Sequence, residues 1–318
     1  MPLFSNVLRS PSCLLAATLS LLALTTGCGG DDESSQPGAA DSATTAAEVT
    51  VPISATTVVL LRPGDEPREL IRRTPPADAT QEVRLTTSAQ VLQQIDDQPA
   101  QDFSSPEITV PLSAVISRPD AGGGASTLVD LTLGDITSPE GRLADALEAS
   151  SGSGAGLTVD PSGAVTALRL RPASDSQDIA RSAIEQAFYQ AAYRMIAFPA
   201  EPVGVGGQWT IHQRVMSGIT LDQTTTVTLA AREGDRLTVD YTIAQTPQSP
   251  VWQLPGDSGT LTVDQYVMEG TGTMTIDLGL PLPVEGTVTM GGDQQYSDPD
   301  GGTRLHQTTS NRVQWASS

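Results

Sequence analysis

The sequence predicts an α+β fold: a large curved antiparallel β-sheet, a meander resembling a half-barrel, with one main amphipathic helix packed on it and one short helix. Three observations predict it. Segments in which apolar and polar residues alternate recur through most of the chain, and such alternation indicates strands with one buried side and one solvent-facing side. The segment 176–197 instead carries apolar residues at helical spacing. Clusters of Gly, Asp and Pro separate the predicted strands and predict turns.

The first 27 residues have the pattern of a signal peptide. Arg9 precedes an apolar run over residues 13–24, which is too short to span a bilayer but typical of a signal-peptide core. The run leads into Thr-Thr-Gly-Cys, which resembles the bacterial lipobox, where small residues precede a cysteine that is diacylated and becomes the mature N-terminus. The resemblance implies cleavage after Gly27 and lipidation of Cys28 by palmitate-type acyl chains. The alternative is an ordinary signal peptide with an incidental cysteine.

Residues 28–48 are predicted to form a disordered tether behind the lipidated cysteine. Gly, Ser, Thr, Ala and Asp dominate them, and this composition cannot bury a core. Because stable anchoring takes two acyl chains, a diacylated Cys28 would hold the protein firmly at a membrane. Gly29 follows the cysteine in place of Asp, and the lipoprotein resemblance then points to the outer membrane in a two-membrane bacterium. We therefore expect a lipid-anchored extracytoplasmic protein of the cell membrane or the outer membrane.

Residues 49–150 form the predicted N-terminal β-rich part. The alternating pattern predicts strands over 58–61, 83–91, 108–116 and 128–136. A turn over 62–65 is predicted to return the chain as a strand over 69–73. Ser138 and Pro139 have the N-cap and first-turn signature of a short helix.

Residues 151–318 form the predicted hairpin–helix–meander part, and one continuous domain with 49–150 is the alternative. The hairpin turns at residues 160–163, and the meander has predicted strands over 209–216, 224–232, 236–245, 259–268, 271–278, 284–290 and 304–315. In the helix over 176–197, one face carries Ile184, Phe188, Ala191 and Met195.

The predicted helix also has end signals. Ser174 and Gln177 fit a capping box, and Arg194 fits the last turn, where a cation suits the negative end of the helix. The alanines of the helix allow two interpretations: a close approach of helix and sheet, or a space between them.

Composition argues against several classes of function. The net charge of −20 disfavours nucleic acid as a partner. Cys13 would leave with the signal peptide and Cys28 would carry lipid, so the folded part would have no thiol chemistry. The chain has no Lys, which removes Walker motifs and Schiff-base chemistry. We expect no cofactor, no metal and no catalytic residue, and hence no enzyme.

Four residue groups have residue types found in functional sites but are predicted to be structural. His212 is predicted to lie on the sheet surface. A catalytic triad with His212 or His306 would need a serine nucleophile, and the chain has no Gly-x-Ser-x-Gly elbow. Residues 298–301 are predicted to form a hairpin turn, because they lack the ligand pattern of a calcium loop. Residues 204–207 follow a helix and precede a strand, which is the reverse of the strand-to-helix order of a dinucleotide-binding motif. Their glycines are instead predicted to allow positive φ and close approach of the backbone. Trp209 is predicted to pack on the helix.

The run Phe198-Pro-x-x-Pro-Val-x-Val-Gly-x-x-Trp209 resembles a motif of an uncharacterised family of bacterial lipoproteins, a domain of unknown function. The resemblance covers residues 156–315, which is half of the chain. The N-terminal half of the chain matches only loosely, and the family implies no activity. A curved sheet crossed by a helix is also similar in architecture to the lipoprotein-carrier and mycobacterial lipid-carrier half-barrels. Fold alone does not imply function.

Two functions are favoured from the sequence, while a hydrolase stays open without a sequence feature to support it. The first is a non-catalytic binding or interaction module of the cell envelope, whose partner is an envelope protein and whose membrane contact is the N-terminal lipid. The second is a carrier that holds an apolar ligand or lipid between helix and sheet. The two differ in whether a cavity opens under the helix.

Overall fold

A computed structural model describes residues 48–117, 126–254 and 259–318. Gly27 and Cys28 lie outside the described residues, as do the signal peptide and nearly all of the predicted tether. Cleavage after Gly27 and lipidation of Cys28 therefore remain predictions. Within the described part, no helix is long and apolar enough to cross a bilayer.

Most of the described chain belongs to one sheet of 16 strands whose pairings are all antiparallel. The strands are β1 Val49–Pro52, β2 Thr57–Arg62, β3 Thr80–Ile95, β4 Gln101–Asp102, β5 Ser105–Ser117, β6 Thr127–Leu133, β7 Gly154–Val159, β8 Val165–Arg171, β9 Gln208–Ser217, β10 Ile219–Glu233, β11 Arg236–Pro247, β12 Val251–Gln253, β13 Thr260–Tyr266, β14 Glu269–Asp277, β15 Glu285–Ser297 and β16 Arg304–Ser317. The helices are α1 Gly141–Glu148 and α2 Asp178–Ala192.

The order of neighbours in the sheet is β1-β8-β7-β6-β5-β3-β16-β15-β14-β11-β10-β9-β2, with β4 beside β3 and the β12–β13 hairpin attached to β15. The last strand, β16, pairs with β3 along nearly its whole length, with Trp315 opposite Leu85. The sheet therefore runs without a break from the N-terminal β-rich part into the hairpin–helix–meander part.

The sheet is open but strongly curved. Strands β1 and β2 lie at its two opposite ends, although only residues 53–56 separate them in the chain. A connection of this length spans at most about 18 Å. The sheet must therefore curl until its ends approach each other, and the predicted fold class, a curved half-barrel-like sheet with one main and one short helix, is confirmed.

Helix α2 packs on the buried side of the sheet. Its predicted apolar face is confirmed for Ile184, Phe188 and Ala191, which are all buried in the helix. Met195, the fourth predicted member, is also buried but lies beyond the end of α2. The helix contacts β3, β5 and β8. Inward-facing residues of the strands complete the core by period-two alternation, as in β3, where Val83 and Leu85 have no exposed surface.

Two predictions at the ends of α2 are wrong. The helix begins at Asp178 after Gln177, which makes no side-chain capping hydrogen bond, so Ser174 and Gln177 form no capping box. The helix ends at Ala192, and Arg194 lies beyond it with 7% of its surface exposed. Arg194 is drawn into the core by hydrogen bonds to buried polar groups instead of lying at the helix end in solvent.

The segment after β2 also differs from prediction. Residues 69–73 form no strand; only Glu69 makes a bridge, to Val203. The chain here follows the connection between α2 and β9, because Asp65 N–H donates to the carbonyl of Val205. β2 instead pairs with β9.

The short helix is present, but its cap lies later than predicted. Glu140, not Ser138, caps α1, and its carboxylate accepts from the backbone N–H groups of Arg142 and Leu143 at 3.2 and 2.7 Å. Ser138 Oγ accepts from the N–H of Glu140, just before the helix begins. The predicted helix residues Leu143 and Leu147 are buried.

The predicted turn over residues 160–163 is confirmed between β7 and β8. The Asp160 carboxylate accepts from the N–H groups of Ser162 and Ala164, and Gly163 has a φ of +91°. The structure also contains β12, a short strand that the sequence pattern did not predict.

Candidate functional site: a cleft between helix and sheet

A cleft of about 200 Å³ opens between α2, the N-terminal end of α1, and strands β3 and β5. We call it the helix–sheet cleft. Its lining consists of Thr87, Ser88, Ala89, Ser105, Pro106, Ile108, Glu140, Leu143, Ile179, Ser182, Ala183, Gln186, Ala187 and Gln190. At its rim, Ile179 keeps 46% of its surface exposed. An apolar side chain with this much exposed surface, next to a concave surface, can bury further apolar area against a ligand.

Small residues of α2 create the cleft. Ala180 and Ala191 are fully covered and let the helix approach its neighbours closely. Ala183 and Ala187 face the cleft, where a longer side chain would fill the space. The helix alanines therefore have both of the roles that the sequence allowed, close approach at some positions and open space at others.

The cleft contains an unsatisfied hydrogen-bond acceptor. Gln186 Oε1 accepts from the Ser105 hydroxyl at 3.2 Å, which ties α2 to β5. Gln190 Oε1 is buried and has no partner among the described residues. Since buried polar groups are nearly always hydrogen-bonded, and Gln190 lines the cleft, rotation of its terminal amide would turn this acceptor toward an N–H or O–H donor that enters the cleft.

A carboxyl group lies on the same helix. Partial burial raises the pKa of Glu185 above its usual range, and the attraction of Arg181 opposes that rise. Arg181 itself donates to the carbonyl of Ser176 at 3.1 Å. Glu185 is therefore less favourable as a charged group than a fully solvated glutamate.

Two larger depressions, of about 580 and about 1050 Å³, lie on the opposite, outward side of the sheet. Their lining is dominated by threonine hydroxyls and backbone. One row of threonines runs across five neighbouring strands: Thr210, Thr226, Thr242, Thr271 and Thr289. Threonine is a favoured residue on the solvated side of strands, so this face needs no ligand to explain it. The helix–sheet cleft, which has a largely apolar lining that is open to solvent, is the stronger candidate for a binding site.

A buried polar cluster lies elsewhere in the interior. Arg194 Nη1 donates to Gln223 Oε1 at 2.8 Å, and Gln245 Nε2 donates to the same oxygen at 2.9 Å. Arg194 Nη2 lies 3.2 Å from the Met290 sulfur. Burial lowers the pKa of Arg194 to about 10, with the nearby Tyr241 acting in the opposite direction. The sequence did not indicate this cluster, because an arginine after a helix is ordinarily a surface residue.

The residues that the sequence singled out are not brought together. The ring nitrogens of His212 lie 3.2 Å from the Thr224 hydroxyl and 3.0 Å from the Thr210 hydroxyl, on the outward side of β9 and β10. This confirms His212 as a sheet-surface residue. His306 lies on β16, 3.4 Å from Asp293. In the described ranges, no three His, Cys, Asp or Glu side chains form a group that could hold a metal ion.

The predictions for residues 298–301 and 204–207 are confirmed. Between β15 and β16, the Asp298 carboxylate accepts from the N–H of Asp300 at 2.9 Å, and Asp298 N–H donates to Thr303. In the connection to β9, a Cβ on Gly204 would lie 1.8 Å from the carbonyl oxygen of Asp65. Only glycine fits there.

Trp209 packs somewhat differently from the prediction. It is completely buried, and its indole N–H donates to the carbonyl of Ala197 at 2.8 Å. Its ring lies 6.1 Å from that of Phe198. Trp209 therefore anchors the segment that follows α2, whereas the sequence predicted packing on the helix itself.

No family model matches the chain, and no curated protein matches it. Among solved structures, the chain is similar to DynF from the dynemicin biosynthesis pathway of Micromonospora chersina, at 10% sequence identity over 89% of this chain and 92% of that chain, with a TM-score of 0.20. A similarity at this level carries no argument about function.

Proposed function

We propose that this protein is a non-catalytic binding module of the cell envelope, anchored to the extracytoplasmic side of the cell membrane or outer membrane through lipid on Cys28. Its site is the helix–sheet cleft, and its ligand is an apolar side chain of an envelope protein. The single observation that carries the proposal is an open, largely apolar cleft beside the main helix.

Size and chemistry favour a protein segment over a whole lipid. The cleft volume of about 200 Å³ is below the 300–1,000 Å³ that is typical of pockets for small molecules and cofactors. It accommodates one or two apolar side chains. Once the Gln190 amide turns toward the cleft, its unpaired Oε1 fits a peptide N–H, whereas an acyl chain has no donor to offer. The lipid-carrier function is therefore the second candidate.

The cleft can be tested with a fluorescent apolar probe, anilinonaphthalene sulfonate, on the full-length protein. Ala183→Leu places a branched side chain in the cleft, so we expect it to weaken probe binding about tenfold or more, the equivalent of about 1.4 kcal/mol. Ala230→Leu makes the same substitution at an exposed position of β10 and should leave probe binding unchanged.

Probe binding that is equal in the wild type and Ala183→Leu would remove the cleft as the site. Native mass spectrometry with lipid extraction separates the two candidates, because acyl species that co-purify with the protein would favour the lipid carrier.

A further inference from the structure

The polar cluster around Arg194 has a feature that the proposed function does not use. Arg194 is a buried cation, and each of its hydrogen-bond partners is neutral: the Gln223 side chain, the Tyr193 carbonyl and the Met290 sulfur. Among the described residues, no carboxylate forms an ion pair with it. Burial of a charge without a counter-charge is strongly unfavourable.

Two donors in this region are also unpaired. Arg194 Nε and Tyr241 Oη are both buried without a hydrogen-bond partner within the described chain. Tyr241 is 3% exposed, and its ring lies against Gly272, where a Cβ would come within 2.6 Å of it. Tyr241 pairs with Gly272 on β14, two residues from Gly270, and Gly270 pairs with Met290 on β15. The buried Tyr241 therefore lies in the inward-facing row of side chains next to that of Met290, whose sulfur contacts Arg194.

We propose that the interior of the sheet binds one small monovalent anion of the chloride class between Arg194 and Tyr241. Arginine has only donors, and the Tyr241 hydroxyl can donate, so both groups suit an acceptor that carries negative charge. A water molecule would satisfy the hydrogen bonds but not the charge. The surrounding Gln223 and Tyr241 are almost completely buried, so the anion must lose its hydration shell, which costs less for a monovalent halide than for sulfate or phosphate.

Thermal unfolding of the full-length protein tests this site. Sodium chloride and sodium gluconate are compared at equal ionic strength, because gluconate is too large to enter. We expect chloride to raise the Tm of the wild type by about 5 °C, which is the order of effect of a saturated ligand site in a domain of this size. Arg194→Met should lose this shift, and Tyr241→Phe should need about tenfold more chloride, because it loses one hydrogen bond to a charged group. Arg181→Met removes a charge from α2, which ends before Arg194, and should retain the full shift.

An equal Tm in chloride and gluconate for the wild type would overturn the proposal, as would an undiminished chloride shift in Arg194→Met. If Arg194→Met does not fold, Tyr241→Phe and bromide-soaked crystals decide. An anomalous bromide peak within hydrogen-bonding distance of Arg194 is expected, and its absence at high bromide would mean that only water occupies the site.

Discussion

At the scale of single residues, α2 and the connection that follows it are held in place by large aromatic side chains. Phe188 and Trp209 are almost completely buried, so Phe188→Ala and Trp209→Ala should each lower the free energy of unfolding by about 3–5 kcal/mol. Val205 is 42% exposed in the same connection, and Val205→Ala should change it by less than about 0.5 kcal/mol. Chemical denaturation measures all three. Unchanged stability in both aromatic variants would mean that α2 and its connection do not pack as described.

A second residue-scale prediction concerns pH. Because the pKa of Glu185 is raised by burial, the folded state holds its proton more tightly than the unfolded state. The stability that this provides is present below the ordinary glutamate pKa and is lost as pH rises through the raised pKa of the folded state. Glu185→Gln should therefore be more stable than the wild type at pH 7, and this advantage should shrink as the pH falls toward the ordinary glutamate pKa.

Denaturation at several pH values measures this difference. Glu148→Gln, at an exposed position of α1, controls for the removal of a negative charge. An advantage of Glu185→Gln that does not change with pH would contradict the role of burial.

At the scale of elements, local patterns predicted most of the structure. Alternation identified long strands such as β3 and β5, and helical spacing identified the buried face of α2, because both signals lie within a few consecutive residues. The pairing of β1 with β8 and of β2 with β9 connects residues that are far apart in sequence, so no local pattern carries it.

The candidate site was predicted only in part. The alanines of α2 allowed either close packing or a space beside the helix. Which of the two forms depends on side chains of β3 and β5, which are distant from α2 in sequence. Arg194 was misplaced for a related reason: its buried partners, Gln223 and Met290, belong to strands that the sequence could not place beside it.

The glycines give an element-scale prediction with an internal control. A Cβ at Gly204 would clash with the Asp65 carbonyl, whereas nothing lies within 4 Å of one at Gly141 in α1. Gly204→Ala should therefore be destabilising by more than about 1 kcal/mol. Gly141→Ala should stabilise by less than about 0.5 kcal/mol, because Gly141 is the first residue of α1 and the full helix-propensity advantage of alanine applies inside a helix. Comparison of the two Tm values checks this, and a tolerated Gly204→Ala would show that the connection does not lie against residues 63–67.

At the scale of the whole molecule, the proposed location at a membrane depends on the predicted lipid anchor. Two acyl chains on Cys28 would hold the protein at a membrane, so Cys28→Ser should move it from the membrane fraction to the medium or the periplasm. Cell fractionation followed by immunoblotting measures this. A Cys28→Ser protein that stays with the membranes would contradict lipid anchoring, and Cys13→Ser, within the predicted signal, serves as the control that should still fractionate with membranes.

The central claim is that the helix–sheet cleft receives an envelope protein, and site-specific photo-crosslinking in the host tests it most directly. Benzoylphenylalanine replaces Ser182, an exposed residue at the cleft, and, in a matched control, Ala244 on the outward side of the sheet. We expect a discrete protein adduct from position 182 that is lost when Ala183→Leu fills the cleft, and none from position 244. Lipid adducts alone at position 182, or the same protein adducts from both positions, would contradict the proposed function.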